Sequence, residues 1–417
     1  MKKLPNLSGI LVDLTPLRTS LPFRRLWLAS LVVGVGGQMG LFAVALQVYD
    51  ISGSSLAVGA VGIFVAIPSI LFTMFGGVLA DAIDRRILAM SASFCQFVVA
   101  GSFYLQATFS YNSLAVIYIL IALQATIGAF SVPARRAFIR RLLPVEQMPA
   151  ALALYMFSMQ FSQILGPATA GVVSSLIGVK YCFLFQIFSF FVFFAVAWSL
   201  PATLPSGIPI QLKLRAVGEA ISFVWRNQVL RGAFFADLCI TIFGIPTALF
   251  PAINCERFGG QPITLGLLTT SFAVGGVLGT AFSGLLGKLT YQGRAMLTAC
   301  VTWGILIVAF GFSENLWFAL LCLTLAGAAD VIAATLVQTI VQNSTPDILR
   351  GRISAVEQII QMGGPQLGNF RAGLTGSWFD PPLGVILGGL ATIIGIGIVF
   401  ISLPNLVKYS SGDDLHN

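Results

Sequence analysis

Long apolar stretches broken by short polar segments run almost the whole length of this chain, and their length predicts helices that cross a membrane. About 20 apolar residues span the hydrocarbon layer as a helix. Twelve stretches meet that length, near 23–49, 56–80, 87–107, 114–134, 149–177, 179–200, 229–252, 263–286, 295–313, 315–341, 353–377 and 383–404. The pattern predicts an all-α membrane protein with twelve transmembrane helices. Asp237 and Asp330 interrupt it most sharply, because each stands deep within an apolar stretch. A carboxylate at bilayer depth is costly unless it faces protein or water, so it marks a transport path or a proton site.

Composition agrees: 57% of residues are hydrophobic and 9% charged, more apolar surface than one aqueous core can hide. The net charge of +8 reads as topology. Lys and Arg gather at the cytoplasmic ends of spans. With both termini inside, 20 of the 23 basic residues fall in inside segments, among them Arg85, Arg86, Arg226, Arg350 and Arg352; Lys180, Arg257 and Arg371 are left outside. This alternation argues against a nucleic-acid footprint. It predicts both termini in the cytoplasm, with the first span as its own insertion signal and no cleavable leader expected; the expected location is the cytoplasmic (inner) membrane of a bacterium. Cys95, Cys182, Cys239, Cys300 and Cys322 lie in or beside spans and Cys255 near the outer surface, so no disulfide framework is expected. The only histidine, His416, leaves no histidine metal cluster, and neither a metal nor a cofactor is expected.

Internal repetition predicts two halves. Gly59 and Gly77 in the second span recur as Gly266 and Gly284 in the eighth, an offset of 207 residues; Pro144, Gly166 and Gly171 recur as Pro346, Gly368 and Gly373, an offset of 202. Two six-helix bundles follow, 1–201 and 229–417, the second with a short cytoplasmic tail. They are joined by a cytoplasmic connector, 202–228, whose amphipathic stretch from Leu212 to Trp225 suits the membrane surface.

Between the second and third spans the chain reads Gly77-Val-Leu-Ala-Asp81-Ala-Ile-Asp84-Arg85-Arg86. This resembles the signature loop of the major facilitator superfamily, with Asp84 where a second glycine is usual. Gly166-Pro167-Ala-Thr-Ala-Gly171 resembles the Gly-Pro motif of that superfamily's exporters; Pro167 removes a backbone donor while the small residues permit close packing. Pro133-Ala-Arg135-Arg136-Ala and Thr345-Pro346-Asp347-Ile-Leu-Arg350-Gly351-Arg352 resemble the branch holding enterobactin exporters and macrolide-efflux-type permeases. The fourth span departs from the proton-coupled drug exporters, with Gln124 where an arginine precedes the glycine, Gly128.

The resemblance implies the twelve-helix major facilitator fold with two pseudo-symmetric six-helix bundles and a cytoplasmic latch. In that latch Asp81 meets the start of the eleventh span near Arg352, with Gly77, Asp84, Arg85, Arg86 and Arg350 around it. It also implies a cavity lined by spans 1, 4, 7 and 10, so that Asp237 with Thr241, Asp330 with Gln338, Gln38 and Gln124 would form a polar ring. There Asp237 or Asp330 would exchange protons, or else both acids serve only helix packing. Gln160, Gln163, Gln358, Gln361, Gln366 and Asn369 flank the gating parts of spans 5 and 11, and Glu357 is expected to pair with Arg350 or Arg352. The leading reading is a monomeric secondary exporter of an amphipathic small molecule, such as a siderophore or macrolide-like compound, by proton antiport with alternating access. An importer or uniporter of a small metabolite and a lipid-translocating protein stay open. No phosphate loop or nucleophile–base pair points to an enzyme.

Overall fold

The computed structural model describes residues 13–82, 84–200, 214–286 and 289–410; the side chains of 73–82, 85, 132–141, 214–217, 220 and 282–286 are outside that description. The twelve spanning segments are α1 (Leu21–Ser52), α2 (Ser55–Ala82), α3 (Arg85–Thr108), α4 (Leu114–Leu142), α5 (Met148–Leu176), α6 (Lys180–Ser199), α7 (Gln228–Arg257, interrupted), α8 (Pro262–Leu286), α9 (Gln292–Gly311), α10 (Leu316–Asn343), α11 (Asp347–Trp378) and α12 (Pro381–Ser402). Their ends follow local chemistry. Ser20 caps α1 by accepting from the Phe23 amide at 3.3 Å, and Gly53 ends it in the left-handed region at φ 59°. Asn227 caps α7 by accepting from Val229 at 2.9 Å and Leu230 at 3.2 Å, and Asn315 caps α10 in the same way. The predicted connector helix runs Leu214–Arg226 and packs against α11 and α7, whereas residues 202–213 lie outside the described residues. The face bearing this helix is termed the connector face, and the opposite one the far face.

Ten of these segments are long and apolar enough to cross a membrane among the described residues. The exceptions, α5 and α11, have 29 and 32 residues. They are long enough, but Gln, Ser and Gly residues along both, with Glu357 and Arg371 in α11, lower their hydropathy. The other helices present Leu, Ile and Phe outward, Ile401 being 81% exposed, as a lipid-covered surface requires.

Packing divides the helices into the two six-helix bundles of the major facilitator fold. In the first, α1 packs on α5 and α6, α2 on α4, and α3 on α4 and α6; in the second, α8 and α9 pack on α10, α9 and the interrupted part of α7 on α12, and that same part of α7 on α11. Two seams join the bundles, α2 against α11 and α5 against α8. They meet where the repeat glycines lie. A Cβ at Gly59 would stand 2.9 Å from the Gly373 Cα, and one at Gly171 would stand 3.1 Å from the Gly266 Cα. Gly59 and Gly266 are counterparts in the repeat, as are Gly171 and Gly373, so the same contact occurs twice. Ser55 beside Gly376, Ile70 beside Gly363 and Gln160 beside Gly276 extend the seams. The Ile70–Gly363 and Gln160–Gly276 contacts lie near the middle of the four helices, and the remaining ones fall in their far-face half.

Candidate functional site

Within that half, between the bundles, lies a chamber of about 440 Å³. It is walled by α1, α2 and α5 on one side and α7, α8 and α11 on the other. Gln38, Gln163, Gln366, Asn369, Thr247 and Thr269 supply its polar groups, and Phe42, Phe250, Phe272 and Pro167 much of its apolar surface. α5 and α11 line it with their polar faces, which explains their low hydropathy. Pro167 stands inside an unbroken α5, with Gly166 pressed on α1 beside Gln38 and Gly171 on the cross-bundle seam.

The wall contributed by α7 exists because that helix breaks. An α-helix over Gln228–Leu238 passes into a π-turn over Cys239–Gly244, and a helix resumes only at Thr247 and Phe250. Such a break frees backbone groups that lipid cannot satisfy, so neighbouring helices must supply partners. They do. Thr392 of α12 donates to the Cys239 carbonyl at 3.2 Å, the Arg371 Nε donates to Ile242 at 3.1 Å, and its terminal nitrogen donates to Phe243. On the other side of the gap, Asn369 Oδ1 accepts from the Thr247 hydroxyl at 2.5 Å and the Ala248 amide at 3.3 Å. Cation to the helix end rich in carbonyls and amide oxygen to the end rich in N–H groups is the arrangement the backbone dipoles favour. Gly244 admits the rim of the Trp303 six-membered ring, whose atoms lie where a Cβ would be. Arg371, assigned from sequence to an outside segment, therefore sits within α11 as a bonded element of the second bundle.

Asp237 and Asp330 do not line the chamber. Both are partly buried in the second bundle, within electrostatic reach of each other and of Cys300 on α9, with Glu357 also in range of Asp237. Neither carboxylate has a hydrogen-bond partner among the described residues. Asp237 lies eight residues before Ile245, where the lining of α7 begins, or roughly 12 Å along a helix. Of the polar ring expected from sequence, Gln38 alone lines the chamber. Thr241 bonds back to the Asp237 carbonyl at 2.9 Å and packs on Gly364 and Gly368. Gln338 is exposed, and Gln124 receives the Gln96 amide on its backbone carbonyl at 3.3 Å. The chamber's wall comes from α2, α5, α8 and α11 rather than α4 and α10, because the seams bring those four helices to the mid-plane.

The latch is described in part. Asp84 occupies the N-cap of α3, accepting from the Arg86 amide at 2.8 Å, a place an aspartate fills better than glycine. Arg86 reaches the Trp198 carbonyl at the end of α6. Arg350 pairs with Asp347 at 2.8 Å and Arg352 with Glu219 of the connector helix at 2.6 Å. Glu357 pairs with neither arginine. It is buried, with Gln361 donating to it at 3.4 Å. Five residues from Arg352, it is turned to another side of the helix. The side chains of Gly77, Asp81, Arg85, Pro133, Arg135 and Arg136 lie outside that description.

Two helical bundles enclosing a chamber between them define a secondary transporter of the major facilitator superfamily. More narrowly, the chain belongs to the transmembrane secretion effector family, whose model matches residues 12–413. It is 26% identical over 402 residues to the enterobactin exporter of Citrobacter koseri, covering 95% of this chain and 94% of the relative. Solved structures share the fold. A POT family transporter in complex with 5-aminolevulinic acid matches at a TM-score of 0.73 with 10% identity, over 93% of this chain and 97% of its own. A bacterial homologue of ferroportin in the inward-facing state matches at 0.68 with 19% identity, over 92% and 98%.

Proposed function

We propose that this transporter exports an amphipathic small molecule, of siderophore or macrolide-like size and polarity, in exchange for protons. The observation that carries export is similarity along 95% of the chain to an enterobactin exporter. The site supports it with amide and aromatic groups walling one chamber and with two carboxylates of the second bundle, outside that lining, that have no hydrogen-bond partner among the described residues. On this reading the bundles are residues 1–201 and 229–417, the connector face is cytoplasmic, and the far-face seams hold the molecule in the state that loads from the cytoplasm. Asp237 and Asp330 take up protons when the seams part and release them in the state seen here. Because the acids are set apart from the chamber, loading and proton release communicate through the interrupted α7, which contributes to both.

Two measurements test this. A strain lacking the protein, grown under iron limitation and challenged with macrolides, should accumulate siderophore or become hypersensitive to the drug; unchanged export and resistance speak against both substrate classes. In energised vesicles, Asp237→Asn with Asp330→Asn should abolish gradient-driven efflux while the protein still inserts and binds substrate. Undiminished efflux in the double variant would remove these acids from the mechanism.

A further inference from the structure

The described residues that line the chamber include no acid and no base. Its polar character is carried by amides and hydroxyls, and several of these have free hydrogen-bonding capacity. Gln38 and Gln366 make no side-chain hydrogen bond among the described residues. Asn369 commits its oxygen to Thr247 and Ala248 and leaves its NH2 group without an acceptor among the described residues. These groups stand on both bundles, across the chamber from one another, among Phe42, Phe250 and Phe272. A ligand carboxylate or ammonium entering this space would give up water without meeting a counter-charge, a heavy penalty in a low-dielectric site. A neutral molecule would find both donors and acceptors, since each free amide offers both, and ring faces for aromatic stacking.

We infer that the chamber selects molecules carrying no net charge, with aromatic rings and amide or hydroxyl groups, and that Gln38 and Gln366 read those polar groups from opposite bundles. The acids of the second bundle are outside the lining, so they do not recruit cationic ligands. This rests on the chamber being the transport site, and it narrows what that site admits. A volume of about 440 Å³ falls within the range of drug-sized pockets.

Three coumarins of one scaffold test it with purified protein in nanodiscs: 7-diethylaminocoumarin-3-carboxamide, the 3-carboxylate, and a 3-carboxamide bearing a trimethylammonium group. Fluorescence titration should show the neutral carboxamide binding at least about tenfold more tightly than either charged probe, a difference of about 1.4 kcal/mol. Gln366→Leu and Gln38→Leu should each weaken the carboxamide. Ala45→Trp and Ala273→Trp, which fill the chamber from opposite walls, should eliminate the signal that remains after subtraction of empty nanodiscs. Binding of the carboxylate or the ammonium compound as tight as that of the carboxamide overturns the inference, as does carboxamide binding that survives both tryptophan variants. Energised efflux and its dependence on Asp237 and Asp330 are read separately, so an exporter of charged compounds would sink this inference and leave the export reading standing.

Discussion

A guanidinium at the depth of Arg371 is tolerable because two carbonyls of the interrupted α7 turn towards it; the charge and the break each satisfy the other. Removing the cation strands those carbonyls where water is scarce. Arg371→Gln should therefore lower stability by about 2–3 kcal/mol, in the range of hydrogen bonds to charged groups, and Thr392→Val by about 1 kcal/mol. Thermal unfolding of the purified variants in detergent measures both, and an Arg371→Gln protein as stable as the parent would show that the break is held by other means. Sequence reading found the acids because a lone carboxylate in an apolar run is visible without its neighbours. It misassigned Arg371 because the residue's partners are backbone carbonyls, which any sequence supplies. Glu357 was missed as a buried acid for a related reason: nearby arginines offered an obvious pair, but Arg350 bonds Asp347 one turn before it and Arg352 reaches Glu219 of the connector helix.

The elements that join the two bundles are the four seam helices, and they were half legible. Their glycines repeat at fixed offsets because two backbones can come this close only where no side chain intervenes, and the spacing announced two related halves. What the spacing did not disclose was the pairing, α2 with α11 and α5 with α8, since glycine leaves no mark of what it faces. The pairing makes a directional prediction. Gly59→Val or Gly171→Val adds atoms at the far-face seam, with an overpacking cost of about 1–3 kcal/mol. That cost falls only on the state in which the seam is shut. The shift of roughly 5-fold to 150-fold should appear as faster labelling of a Thr269→Cys reporter by a membrane-impermeant maleimide applied to the far face. Unaltered labelling would show that the seams do not part during the cycle. The cavity-lining role of spans 4 and 10 was expected by resemblance, and the seams account for the difference: they draw α2, α5, α8 and α11 together around the chamber in the far-face half.

Across the whole molecule, twelve helices and their orientation were readable from hydropathy and charge, because the bilayer imposes length and sign on every crossing. Bundle placement depends instead on contacts between residues about 100 positions apart at one seam and about 300 at the other, which no local pattern records. Those contacts offer a lock. A Cβ at Gly376 would lie 3.4 Å from the Ser55 Cβ, close to disulfide spacing, so Ser55→Cys with Gly376→Cys in a cysteine-free background should cross-link the bundles. Oxidation should stop efflux and reductant restore it; a cross-linked protein that still transports would contradict rocking of the bundles about this seam. A chamber without ionisable walls has an electrical consequence as well. If an uncharged solute leaves as protons enter, every turnover carries positive charge inward. The voltage across the membrane then drives the cycle directly: 100 mV contributes about 2.3 kcal/mol per proton, enough for a roughly 50-fold gradient of solute. Potassium diffusion potentials in proteoliposomes should therefore power expulsion with the pH equal on both sides, so that a cell facing an alkaline exterior would keep a working pump.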